Sequence, residues 1–288
     1  MFEGFEQRRI AVGETEINLR IGGAGPALLL LHGYPQTHVM WHKIAPRLAE
    51  RFTVVCTDLR GYGDSGKPES GPDHAGYAKR AMAQDQAEVM TALGYERFSV
   101  VGHDRGARVT HRLLLDHGLR VDKAAVLDIA PTLDMYELTD RAFAEAYYHW
   151  FFLIQPFDLP ERLLGADPDY YVEKKIGAWS KVEGCFTVEA LAEYKRCFRD
   201  PATIHATCED YRAAATIDLD HDRADRDRKI APPLLVLWGQ RGVIERSYDV
   251  MKLWGERAEE VSGRSLPCGH FLAEEVPEET LEALLAFL

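Results

Sequence analysis

Phe98-Ser99-Val100-Val101-Gly102-His103-Asp104-Arg105-Gly106-Ala107 is the stretch that decides the fold. An apolar run, Phe98 to Val101, enters a turn bounded by Gly102 and Gly106, and a helical pattern follows from Ala107 to His117. Strand, sharp turn and helix in that order are the layout of a nucleophile elbow, which exposes its central side chain at the top of a sheet. That central residue is Asp104, so the turn presents a carboxylate. A carboxylate is a poor acyl-transfer nucleophile but a good one for displacement at an sp³ carbon, where it forms an ester bound to the chain. An Asp here could also serve only as a helix N-cap. Its position between small turn residues, after a buried-type strand, favours the nucleophile. Arg105 follows directly and Arg108 lies three residues on, on the same helix face. The turn therefore points to alkyl transfer onto Asp104 from an anionic donor.

Outward from this turn, short apolar runs alternate with helical patterns. Strands are predicted at Ile17–Ile21, Ala27–Leu31, Thr53–Thr57, Phe98–Gly102, Ala124–Leu127 and Leu234–Trp238. Helices are predicted at Ala45–Glu50, Tyr77–Leu93, Ala107–His117, Arg246–Glu256 and Glu278–Leu288. Continuous Val/Leu strands belong to a sheet covered on both faces, and the alternation reads as α/β with a mostly parallel sheet. The segment from about Leu133 to Asp218 breaks the rhythm. It has no clear strand and is rich in aromatic residues. We read 134–218 as a helical cap inserted into a core made of 1–133 and 219–288. Its exit, Asp218–Lys229, carries mixed charge and reads as a solvated connection. A helical lid over the carboxyl ends of the strands would close the site where open α/β sheets bind ligands.

With 288 residues, 46% of them apolar, the chain can bury one large core. The N-terminus has neither a basic nor an apolar leader region, which predicts no signal peptide. The longest apolar run, Pro26 to Leu31, is far short of the roughly 20 residues of a membrane span. A net charge of -12 disfavours nucleic acid and acidic membrane surfaces as partners. It would also repel a small anion, so any anion selectivity must be local. Five scattered cysteines without a C-x-x-C pair predict a reduced, cytoplasmic protein with neither disulfides nor zinc. Cys268 reads as a small buried residue. His38 and His42, spaced i, i+4 without a carboxylate motif, read as a surface face. No cofactor or metal is implied.

His32-Gly33-Tyr34-Pro35, Asp58-Leu59-Arg60-Gly61-Tyr62-Gly63-Asp64-Ser65, the Asp104 turn and Gly269-His270-Phe271 occur in this order. Together they resemble the α/β-hydrolase superfamily over essentially the whole chain. That resemblance implies an eight-stranded, mostly parallel sheet flanked by helices. The Asp at the turn narrows it to the branch holding epoxide hydrolases and haloalkane dehalogenases, which usually carry Trp after the nucleophile. Arg105 in that place, with Arg108, His149-Trp150 and Tyr211, resembles the fluoroacetate (haloacetate) dehalogenases. It implies a small anionic haloacid substrate and a homodimer.

An ester on Asp104 must be hydrolysed, and His is the usual base near neutral pH. His270, after Gly269 near the C-terminus, is the candidate. His32 and His103 belong to motifs but read as structural. The base needs an orienting carboxylate. The loop after Leu234–Trp238 has no acid before Glu245. The alternative is Asp128, at the end of the preceding strand, and the resemblance also points there, with Glu245 and Asp249 as fallbacks. Charge built on the ester carbonyl would be met by the backbone amides of Arg105 and Tyr34. Arg105 and Arg108 would fork onto the substrate carboxylate, which would supply the counter-anion that a buried Arg105 needs. His149, Trp150 and Tyr211 are assigned as halide donors by the resemblance alone. The residues themselves do not single them out from about a dozen lid aromatics.

Two rival readings stand beside this one. An epoxide hydrolase would use the same Asp–His–Asp apparatus and lid tyrosines, but a neutral epoxide has no use for two guanidiniums. A non-catalytic ligand-binding member of the fold is the other. It is disfavoured because Asp104, Asp128 and His270 can all be placed.

Overall fold

The computed structural model describes residues 1–288. Eight strands form one sheet: β1 (Glu6–Val12), β2 (Thr15–Gly22), β3 (Ala27–Leu31), β4 (Thr53–Thr57), β5 (Phe98–His103), β6 (Val121–Leu127), β7 (Leu234–Gly239) and β8 (Val261–Leu266). Their spatial order is β1-β2-β4-β3-β5-β6-β7-β8. β2 runs antiparallel to β1 and β4, and every other pairing is parallel. All residues of β3 and β7 are buried, which explains their unbroken apolar sequences.

The six strands expected from apolar runs are present. β1 and β8 are not visible in that pattern because they form the two edges. Most of β1 is exposed, with Arg8 and Arg9 pairing outward to Glu6 and Glu16. β8 is buried only at Leu266.

The helices differ from expectation mainly at their ends. The helix after β5 begins at Arg105, two residues early, so both arginines are helical. The single helix expected at Arg246–Glu256 is two, Val243–Ser247 and Val250–Arg257. They part where the Asp249 carboxylate accepts from Lys252 N at 3.1 Å and caps the second. Between β6 and β7 the chain is helical from Thr132–Glu137 to Ile217–Ala224, with no strand. The expected solvated connection at Asp218–Lys229 is helical through Ala224, and three of its acids are engaged. Asp218 is buried and accepts from Lys79 N at 2.8 Å. Asp222 and Asp225 pair with the buried Arg112. Asp218, Asp222 and Asp225 thus serve ion pairs within the helical layer, while Arg223, Arg226, Asp227, Arg228 and Lys229 are exposed, as a solvated connection requires.

The turn after β5 is possible because its glycines let backbones touch. A Cβ on Gly106 would stand 2.4 Å from His32 O and 2.5 Å from Leu31 O, and one on Gly102 would stand 2.4 Å from Gly106 O. The helix is thereby seated directly on the ends of β3 and β5. Gly106→Ala should destabilise the chain by about 1–3 kcal/mol through overpacking. Gly177→Ala, on an exposed helix face with nothing near its added Cβ, should instead stabilise by about 0.5–1 kcal/mol. Urea midpoints of the two variants check both signs.

Candidate active site

The strand ends converge on one point. Asp104 sits at the turn with a φ of 47°, and Asp128, after β6, has a φ of 53°. Two non-glycine residues in the left-handed region store backbone strain, which persists only where surrounding structure holds it. Both point carboxylates to the same histidine. His270 Nδ1 donates to Asp128 Oδ2 at 2.5 Å, and its Nε2 lies 3.8 Å from Asp104 Oδ2. The Nδ1–H contact fixes the tautomer and leaves Nε2 as the lone-pair nitrogen, with no hydrogen-bond partner. Asp128 Oδ1 accepts from Gly239 N at 2.8 Å, so the end of β7 holds the carboxylate by its main chain. The fallback acids are elsewhere: Glu245 bonds Trp238 Nε1, and Asp249 caps its helix.

Asp104 Oδ1 accepts from Tyr34 N at 2.8 Å. The expected second donor, the Arg105 amide, makes no hydrogen bond to that carboxylate. Gly33 is required beside it, since a Cβ there would lie 2.4 Å from the Asp104 Cβ. Burial opposes ionisation of Asp104, but the nearby His270, His103, Arg108 and Arg105 outweigh it and hold its carboxyl below the usual range. Burial also disfavours a charged His270, yet the hydrogen bond and charge of Asp128, with Asp104, raise it above its ordinary value.

The two arginines are both buried but differ in what they touch. Arg105 already has a counter-ion. Its Nε and Nη2 grip Asp210 Oδ2 and Oδ1 at 2.9 and 2.7 Å, and Nη2 also reaches Asp210 O. The expectation that a substrate would supply that anion is corrected: Asp210, from the helix Pro201–Ala215, supplies it. Arg105 Nη1 remains unpartnered. Arg108 has no carboxylate partner. It donates to Thr132 Oγ1 at 2.9 Å and Ala130 O at 3.3 Å, its Nε is unpartnered, and burial pulls its pKa down. A buried guanidinium held only by neutral groups is short of an anion.

Aromatic residues of the inserted helices line the other side. Arg105 lies over the Tyr211 ring at 4.1 Å and Arg108 over Trp150 at 4.7 Å. His149 and Tyr211 rings are 5.5 Å apart, edge to face. Tyr211 Oη and His149 Nδ1 are buried without partners. Burial raises Tyr211 well above its ordinary value, so its O–H stays a donor. Burial and nearby cations lower His149 well below its own, so its ring stays neutral.

His32 and His103 pack beneath the site. His32 accepts from Leu59 N at 3.0 Å, and His103 Nε2 donates to His270 O at 2.8 Å. The surface face expected for His38 and His42 is not there. His38 is buried with Nδ1 2.8 Å from Asp58 Oδ1, and His42 Nδ1 donates to Val39 O. All five cysteines are free and buried, Cys268 among them. Sequence reasoning missed Asp210. No local signal marks it, since Asp210 stands between Glu209 and Arg212 in a helix whose sequence reads there as a solvated face.

The model of the alpha/beta hydrolase fold matches residues 26–277. Fluoroacetate dehalogenase of Burkholderia sp is 50% identical over 290 residues, covering 100% of this chain and 95% of that one. Soluble epoxide hydrolase of Corynebacterium sp. strain C12 is 33% identical, over 92% of this chain and 91% of that one. Among solved structures, a candidate α/β hydrolase from Nostoc sp PCC 7120 superposes with a TM-score of 0.99 at 65% identity. It covers 100% of this chain and 99% of that one.

Asp210→Ala would leave Arg105 and Lys79 buried without their shared carboxylate. It should cost about 3–5 kcal/mol, as breaking a buried ion pair does. Chemical denaturation reads the loss.

Proposed function

The chain belongs to the α/β-hydrolase fold family, and we infer that it is a haloacetate (fluoroacetate) dehalogenase, hydrolysing the carbon–halogen bond of a 2-haloacid to a 2-hydroxyacid and halide. One observation carries the substrate class: beside an ionised carboxylate at the turn lies Arg108, a buried guanidinium without an anion. The 50% identity to a fluoroacetate dehalogenase over the whole chain supports the same reading, and the epoxide hydrolase relative is more distant.

In this reading Asp104 is the nucleophile. Its Oδ1 is held by Tyr34 N, which leaves Oδ2 to attack the carbon alpha to the substrate carboxylate. The C–O bond forms as the carbon–halogen bond breaks, and the halide leaves with the electron pair. Arg108 and the free Nη1 of Arg105 hold the substrate carboxylate and so align the carbon. His149, Trp150 and Tyr211 donate to the departing halide. Each charge-assisted bond contributes roughly 1.5–3 kcal/mol, which matters most for strongly hydrated fluoride. His270 Nε2 then takes a proton from water, whose oxygen attacks the ester carbonyl of Asp104. Asp128 stabilises the resulting imidazolium. The amide of Tyr34 is in place for the oxyanion, and the Arg105 amide, the first of its helix and without an intrahelical acceptor, is the second donor. Collapse expels glycolate from Asp104 and returns the proton.

We place the boundary between cap and core at 134–218 against 1–133 and 219–288. No helix is long and apolar enough to cross a membrane. We further propose a cytoplasmic location, supported by five scattered cysteines without a C-x-x-C pair, and a homodimer, supported by the family resemblance.

Fluoride-electrode and ion-chromatographic assays on fluoroacetate and chloroacetate test the function. Halide should appear with the native chain and fall about 10⁴-fold or more with Asp104→Ala. Chloride without fluoride would remove the three halide donors from the scheme, and no halide at all would end it. His270→Ala should release one halide per chain and then stop, with a mass gain equal to one carboxymethyl group on Asp104. An unmodified mass would break the two-step scheme.

The elevated His270 pKa sets the pH behaviour. The base must be neutral, so steady-state turnover should decline as pH falls through a value above 6.5, in proportion to the neutral fraction. The first halide burst needs only ionised Asp104 and should survive there. Rapid-quench halide measurements separate the two limbs.

A further inference from the structure

A cavity of about 300 Å³ opens between the inserted helices and the loop after β7, and His270 is among its lining residues. Lys174, Lys175, Lys181, Arg241 and Arg246 line it. The one acid in the lining, Glu145, is taken by Arg141 at 2.7 Å. None of the five cations forms an ion pair. Lys181 Nζ and Arg241 Nη1 donate only to main-chain carbonyls. In a chain where Asp and Glu outnumber Lys and Arg by 46 to 34, five unpaired cations around one opening are a local reversal of the overall charge.

Lys175 is the most telling of them. It is 3% exposed, yet its Nζ faces aromatic rings, over Tyr148 at 3.7 Å and Trp179 at 5.0 Å. Cation–π contact offsets part of its desolvation, but no carboxylate does. Burial pulls its ammonium down to about 7, as happens to a cation short of a counter-charge. Trp179 in turn packs on His270 and His149, at ring distances of 5.2 and 4.7 Å. Unpaired cations therefore lie from the surface inward to Trp179, and the innermost, Lys175, gives up part of its charge near neutral pH.

We propose that this cavity is the entry route for the haloacid, and that its five cations form an electrostatic funnel drawing small carboxylates to His270 against the negative charge of the whole chain. The proposal rests on the dehalogenase reading. A cleft lined by one sign of charge, with low-dielectric walls, focuses the field and raises the local concentration of the opposite ion. The effect reaches only about a Debye length and must fade as salt rises.

The test compares Lys174→Gln/Arg246→Gln with Arg8→Gln/Arg9→Gln. The first pair is exposed at the funnel. The second removes the same charge from β1, at the far edge of the sheet. Bromide release from bromoacetate is followed from about 0.01 M to about 1 M ionic strength, over which the Debye length shrinks from about 30 Å to about 3 Å. Bromide is the easier leaving group, so entry weighs more in kcat/KM. The funnel variant should lose about fivefold in kcat/KM at low salt, keep its kcat, and converge with the native chain at high salt. The β1 variant should follow the native chain throughout. If the two variants coincide at every ionic strength, the funnel is wrong while the dehalogenase reading stands. If the native chain releases no halide, both fall together.

Discussion

One buried carboxylate, Asp210, ties the upper half of the molecule to the lower. It receives the fork of Arg105 from the helix after β5, the ammonium of Lys79, and the hydroxyl of Tyr62 at 2.6 Å. Two cations and a phenol, each from a different part of the core, meet a single side chain of the inserted helices. Charge balance follows from this. Asp210 and Asp218 match Arg105 and Lys79, with Lys79 Nζ 3.5 Å from Asp218 Oδ2. Arg108 is then left with no carboxylate partner. The site is poised for a second anion because its first arginine is already satisfied.

The parts legible in the sequence are those where local chemistry admits few alternatives. Gly102 and Gly106 around Asp104 announce a backbone approach that side chains would block, and the structure shows that approach at Leu31 and His32. Continuous apolar runs announce β3 and β7 because buried strands have no face for water. The position of Asp128 at a strand end and the family resemblance together favoured it over Glu245, whereas the resemblance alone chose His149, Trp150 and Tyr211 among many aromatics. β1 and β8 were not legible because edge strands carry the polar sequence of a loop. Asp210 was not legible because an Asp beside Glu209 on a helix reads as a solvated face. Only the three-dimensional arrival of Arg105 and Lys79 makes it a buried counter-ion. The same holds for Asp218–Lys229, whose acids meet Arg112 and Lys79 from a distance no local pattern reveals.

The electrostatics of the site are set less by individual residues than by what each is denied. His270 keeps a proton more readily than a free imidazole because Asp128 answers its charge in a dry setting. His149, as deeply buried among aromatic rings, feels only cations as charged groups and stays neutral. Two histidines in one pocket thus take opposite roles from their surroundings, one a base and one a neutral ring.

The bond between Arg105 and Asp210 also bears on how such a protein can change over generations. Asp104, Asp128 and His270 stand at strand ends of the core, and the aromatic walls come from one unbroken insertion between β6 and β7. An insertion of that kind is a natural unit of exchange: replaced whole, it would alter what the nucleophile meets while leaving the nucleophile in place. Arg105 restricts that freedom. It belongs to the core, but its partner belongs to the insertion, so an exchanged segment must either bring an acid to the position of Asp210 or be accompanied by the loss of Arg105. The first residue of the helix after β5 and the identity of the lid are therefore inherited together.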